Sequence, residues 1–217
     1  MSAALRVGFF LDGFTLKKVN DYYRNFHDIR SHLDFRGLKT WVKREALRQF
    51  EGGFREVEME AHYYHPFPNP HIYGRDVDGT FKLEHELQAA GFHVHYNSHG
   101  VVGDVLGPNL GLIEDALLLA SYSKMDAAVL FSTQGQFAPL PDRLRAMGVP
   151  TMLLGWEFVY PKAKRNVYWK TDICLRATCA RYVAMEKVVE ESSKQPVRPK
   201  GWLFQKFHPY GRKPAWY

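Results

Sequence analysis

Cysteine is scarce in this 217-residue chain: only Cys174 and Cys179 occur, five positions apart and without a CxxC pair. That excludes a disulfide-framed secreted scaffold, matches no zinc or redox motif, and makes the reduced cytoplasm the expected setting. Long apolar runs are also missing. No stretch approaches the roughly 18–20 residues that cross a bilayer, and the N-terminal run Leu5–Leu11 contains Arg6 and ends at Asp12. Neither a membrane anchor nor a signal peptide is expected. Acidic residues are absent from Ser192 to Tyr217, where six Lys or Arg occur, so the first 191 residues hold 23 basic and 23 acidic side chains. The net charge of +6 therefore belongs to the tail.

Apolar residues make up 46% of the chain and aromatics 15%, enough for a buried interior and against disorder or low complexity. Leu5–Leu11 reads as a strand buried on both faces. Helical spacing follows from Phe14 to Phe26 and from Leu38 to Phe50, and Glu56 to His65 reads as a second strand. A helix over Phe81–Ala90 and a strand over Phe92–Tyr96 continue the alternation. Next come a helix over Leu110–Ser123, a strand over Asp126–Ser132, a helix over Leu140–Met147 and a short strand over Thr151–Gly155. At least one further helix is expected between Tyr168 and Glu191. Such alternation predicts an α/β fold, a three-layer α/β/α sandwich with a central, mostly parallel sheet. Ligands on such sheets lie beyond the carboxyl ends of the strands, which here carry Asp12, Ser132 and Gly155.

The tail interleaves Lys200, Lys206 and Arg212 with Trp202 and other aromatics among several prolines, so it reads as an extended basic arm, residues 192–217. Cations that meet phosphates and rings that stack on bases suit single-stranded RNA. The same aromatics suit docking against the domain itself or against a second copy in a homodimer.

Asp12 directly follows a buried strand, where a carboxylate is costly unless it is paired, hydrogen-bonded or on a metal; a turn or helix-capping role is the competing account. Asp115 lies early in the apolar helix, where it also complements the helix dipole. Seven histidines fall between His62 and His99, with His93 and His95 on one strand face at a spacing that can bind zinc. With His62 and His65 on opposite faces and no accompanying Cys pattern, packed or solvated histidines are the expected reading.

Three blocks in order, Val7-Gly-Phe-Phe-Leu-Asp-Gly-Phe-Thr-Leu16, Gly107-Pro-Asn-Leu-Gly-Leu-Ile-Glu-Asp115-Ala-Leu-Leu-Leu-Ala120 and Asp126-Ala-Ala-Val-Leu-Phe-Ser-Thr-Gln-Gly-Gln-Phe137, with Leu33-Asp-Phe-Arg-Gly-Leu38, resemble the NYN domain in its LabA-like branch, a subgroup of PIN-like nuclease folds. The resemblance implies a PIN-like domain over residues 1–160, with 161–191 as a helical extension packed on it. It also implies a ribonuclease whose strand-end acids bind Mg²⁺ or Mn²⁺, which activates water and offsets charge on the scissile phosphate. Asp12 and Asp115 match two of the family's five acids and are the implied catalytic and metal residues. The other three positions are amides: Asn109, Gln134 and Gln136. Losing those charges weakens the attraction for a dication while keeping shape and hydrogen bonding. The expectation is thus an RNA-binding, nuclease-derived protein, inactive or impaired, with a pocket lined by Thr15, Asn109, Ser132, Thr133, Gln134 and Gln136. The alternatives are an active endoribonuclease using Asp12 and Asp115, and a protein-interaction scaffold. Glu114 points about 100° away from Asp115 on a helix and is no replacement acid.

Overall fold

The computed structural model describes residues 4–50, 52–66, 77–96, 110–162, 165–193 and 202–204. The first strand, β1 (Leu5–Asp12), is buried along its length except at Arg6. It pairs in parallel with β2 (Val57–Tyr64) on one side and with β4 (Ala127–Phe131) on the other. Beyond β2 lies β3 (His93–His95), and beyond β4 lies β5 (Thr151–Gly155), both parallel to their neighbours. A sixth strand, β8 (Arg181–Ala184), closes the far edge beside β5. The order β3-β2-β1-β4-β5-β8 reverses its winding direction between β1 and β4. In doubly wound sheets that reversal opens a crevice at the carboxyl ends of the two central strands; here those ends are Asp12 and Ser132.

Helices cover both faces of the sheet. On one face α1 (Gly13–Asn25), α2 (Phe35–Gln49), α3 (Val77–Ala89) and α7 (Met185–Ser193) contribute Leu16, Val19, Tyr23, Leu38, Val42, Leu87, Met185 and Val189 to a core with Val7, Phe9 and Leu11. On the other, α4 (Leu110–Ser121), α5 (Pro139–Ala146) and α6 (Ile173–Thr178) place Leu112, Ala116, Leu140, Leu144 and Leu175 over Phe10, Leu130 and Leu153. The chain is therefore an α/β protein with a three-layer sandwich, as the alternation of apolar runs and helical spacing predicts. Among the described residues, no helix is long and apolar enough to cross a membrane.

Aspartates start three of the helices. Asp12 caps α1 by accepting from Phe14 N, Asp34 caps α2 by accepting from Arg36 N and Gly37 N, and Asp172 caps α6 by accepting from Cys174 N and Leu175 N. Each satisfies backbone donors that have no partner within the helix. The Asp34 cap is why α2 begins at Phe35, one turn before the expected Leu38. At the opposite end of β1, the Arg6 guanidinium grips the Asp126 carboxylate, fixing the amino-terminal ends of β1 and β4. Asp126 is structural and remote from the strand carboxyl ends.

The expected boundary at residue 160 falls inside β6 (Glu157–Lys162), which forms an antiparallel hairpin with β7 (Arg165–Lys170). The hairpin lies against α1, with Phe158 stacked on Tyr22 at 4.3 Å and Tyr160 on Phe26 at 4.9 Å. Its base is tied by Thr171, whose N–H donates to Trp156 O and whose hydroxyl oxygen accepts from Trp156 N. Residues 161–191 therefore contain strand β8 of the main sheet and half of a hairpin as well as helices, so a helical extension describes only part of them.

Of the arm, residues 202–204 dock on the domain. Asp34 N donates to Leu203 O at 2.8 Å, Leu33 bridges Phe204, and the Phe204 ring packs 4.6 Å from Tyr23 in the core. Trp202 is half-buried against the same core. Lys200, Lys206 and Arg212 lie outside the described residues. A side chain at Gly37 would collide with the Trp202 carbonyl. Gly37→Ala is expected to lose about 1–3 kcal/mol, the range for overpacking a tight contact, and to speed tryptic removal of the C-terminal segment. Unchanged melting and proteolysis would contradict the docking.

Candidate functional site

The sheet reversal places Asp12 and Ser132 side by side, and α1 begins immediately after Asp12. Gly13 allows that turn, since a Cβ there would strike the Tyr64 carbonyl at the end of β2. The carboxylate is buried, 4% exposed, and both its oxygens are engaged. Oδ1 accepts from Phe14 N at 3.1 Å. Oδ2 accepts from Thr15 Oγ1 at 2.7 Å, Ser132 Oγ at 2.9 Å and Gln134 Nε2 at 2.9 Å. Burial pushes the Asp12 carboxyl above its usual range, while the hydrogen bonds from Thr15, Gln134, Ser132 and Phe14 N pull it back.

The network beyond Asp12 has one consistent direction. Thr15 gives its only hydroxyl proton to Asp12, so it accepts from Thr133 N at 3.0 Å and from the Thr133 hydroxyl at 3.1 Å. Ser132 Oγ likewise accepts from Gln134 N at 3.1 Å. Gln136 Nε2 donates to Gln134 Oε1 at 3.0 Å, which leaves the Gln134 NH₂ aimed at Asp12. The reverse orientation would set two acceptor oxygens against each other. Asp172 N donates to Thr133 O, and the Asp172 side chain lies against Gly135, where a Cβ would come within 2.6 Å of it. The structure thus gathers Asp12, Thr15, Ser132, Thr133, Gln134 and Gln136, with only Gln136 exposed. Asn109 lies outside the described residues.

A hard dication such as Mg²⁺ or Mn²⁺ needs several free oxygens around it. Asp12 Oδ2 already takes three donors, and Gln134 turns nitrogen toward it. The residues around Asp12 do not fit such an ion.

Asp115 keeps different company. On α4 its Oδ2 accepts from the Tyr64 hydroxyl at 2.9 Å and lies 3.6 Å from His95 Nδ1. His95 Nε2 and His62 Nδ1 are 3.0 Å apart, and His62 stacks on Phe10. His62, His95 and Asp115 each offer a ligand atom within 4.8 Å of the others, so the triad is a possible metal-binding group. Asp12 and Asp115 share no hydrogen-bond partner among the described residues. Burial lowers His62 to about 4, helped by His95 and opposed by Glu60, and burial also lowers His95 against the pull of Asp115. Both rings are therefore neutral at physiological pH. His93 is exposed and outside the triad. The sequence signal for this group was the alternation His93, His95 beside His62 on the preceding strand; what it lacked was the register.

On α1, Lys18 Nζ lies beside two rings that pack on each other, 5.6 Å from Phe14 and 5.7 Å from Trp169 of β7. A cation held against aromatic faces is stabilised by their quadrupoles and stays available to an anion.

No family model matches the chain, and no curated protein matches it. Among solved structures, a protein of unknown function from Vibrio parahaemolyticus shares the fold, with a TM-score of 0.57 and 18% identity over 94% of this chain and 99% of that one.

Proposed function

We propose that the chain is a non-catalytic, single-stranded-RNA-binding protein of the NYN, LabA-like type, descended from a metal-dependent ribonuclease. The observation that carries this reading is the 2.9 Å bond from Gln134 Nε2 to Asp12. Gln134 stands where the resemblance calls for an acid, and it has become a donor to the carboxylate with which that acid would have shared an ion. Such a site keeps its shape, loses negative charge and repels phosphate less. Lys18 beside Phe14 and Trp169 supplies the pairing of cation and ring that nucleotides use. The docked Trp202–Phe204 segment works as part of the domain wall, so the RNA contacts are assigned to the domain before the arm.

The test is fluorescence anisotropy of a labelled 12-nucleotide single-stranded RNA, with cleavage followed in Mg²⁺ and in Mn²⁺. Binding should weaken steeply as salt rises. Stacking is worth about 1–3 kcal/mol per base, so Trp169→Ala should weaken binding by roughly 5- to 150-fold, with no cleavage in either metal. Metal-dependent cutting that disappears in Asp12→Asn would overturn the reading in favour of an active nuclease. Absence of any binding would overturn it in favour of a protein-interaction role.

A further inference from the structure

His62 on β2, His95 on β3 and Asp115 on α4 come from three separate elements and meet on the face of the sheet covered by α4. Strand register makes this possible: Tyr64 lies opposite His95 and His62 opposite His93, so His62 and His95 meet on the diagonal. The two rings bring His62 Nδ1 and His95 Nε2 to 3.0 Å. Two imidazole nitrogens at that distance have either a shared proton or a cation between them. Glu60 Oε1 lies 3.3 Å from His62 Nε2 without forming a hydrogen bond, so only its charge favours a proton on that nitrogen, the tautomer in which Nδ1 faces His95 as a lone pair. Two nitrogens bound about 2.0–2.1 Å from one zinc ion at a tetrahedral angle lie roughly 3.3 Å apart, so the rings need to part by only a few tenths of an ångström. The Tyr64 hydroxyl holds Asp115 Oδ2, as the supporting bonds around metal-bound carboxylates do, and no hydrogen bond from another described residue engages the second oxygen.

We propose that His62, His95 and Asp115 bind one transition-metal dication of the zinc class, with water or an anion completing the coordination. Two imidazoles and one carboxylate favour zinc, cobalt or nickel over Mg²⁺, which prefers an all-oxygen shell. No hydrogen bond among the described residues joins these three side chains to Asp12, and the proposal stands whether or not the chain binds RNA. A bound ion would tie the short edge strand β3 and helix α4 to β2.

The full chain, stripped with chelator and then dialysed, is titrated with Zn²⁺, Co²⁺ and Mg²⁺. The expected result is one equivalent of zinc with micromolar or tighter affinity, a melting temperature several degrees higher, and visible cobalt bands of tetrahedral intensity; Mg²⁺ should give none of these. His95→Gln and Asp115→Asn should each weaken zinc binding at least tenfold. His93→Ala should leave it within twofold, which separates the triad from the chain's other histidines. Tyr64→Phe, which keeps the ring, should weaken binding by about 10-fold or more. If wild type binds no zinc, or if His95→Gln retains the affinity and cobalt spectrum of wild type, the proposal fails. The cobalt spectrum reads coordination directly in the unmutated protein, so an ill-folded variant cannot mask the answer.

Discussion

Asp12→Ala is expected to lower the unfolding free energy by about 3–5 kcal/mol, because it strips four donors of their acceptor at once and removes a helix cap. For a chain of this size each kilocalorie moves the melting midpoint by about 2–4 °C, so a fall of roughly 10 °C should be seen. Ser132, Thr15 and Phe14 N are enclosed with the carboxylate, and water cannot easily replace it. Asp12→Asn should cost less, about 1–2 kcal/mol, because its oxygen can serve the Oδ2 side while its NH₂ faces the Phe14 N–H. The sign matters more than the size. In a cluster of unneutralised acids, removing one carboxylate relieves repulsion and stabilises the metal-free protein. A melting temperature that rises on Asp12→Asn would mean that Asp12 belongs to a working cation site, and the proposed function would fall with it.

The second large effect is expected from putting the acids back. Gln134→Asp with Gln136→Asp removes the amide that donates to Asp12 and sets two new carboxylates near a buried one. Like charges in a partly desolvated crevice repel strongly, so a loss of about 2–4 kcal/mol is expected without divalent metal, on the scale of an unpaired buried group. Mg²⁺ or Mn²⁺ at millimolar concentration should restore part of that loss, since a ligand that binds only the folded state stabilises it by mass action. Wild type should not respond. Thermal melts of both proteins with and without metal read the difference. A double variant as stable as wild type and indifferent to metal would show that these amides do not occupy former ligand positions.

Much of the fold was legible because buried parallel strands announce themselves. β1 and β4 are apolar runs closed by polar residues, and each lies within a residue of where the run places it. The strands after residue 155 carry no such mark. β8 is four residues long with one paired edge, and β7 has a mostly exposed pattern, so neither has the apolar run that burial on both faces imposes. The Asp12 neighbourhood was legible for a related reason: strand carboxyl ends at a winding reversal must converge, and Ser132, Thr133 and Gln134 follow directly from the end of β4. The triad was not. His62, His95 and Asp115 depend on the register of β2 with β3 and on the rotation of α4, and no local spacing encodes either. Asp115 was recognisable as a residue of interest, but its partners lie on the histidine-bearing edge of the sheet and not at β1.

The bridge between Leu33 and Phe204 has a consequence for the order in which the protein is made. Residue 33 leaves the ribosome long before residue 204, yet the layer formed by Tyr23, Leu33 and α2 is closed by Leu203 and Phe204. Until that late segment arrives, an apolar patch on the earliest helices faces solvent, and a partly made chain of this kind is prone to aggregate. A released chain that stops before residue 202 should therefore hold the sheet but recruit chaperones, and one that runs on through Phe204 should not.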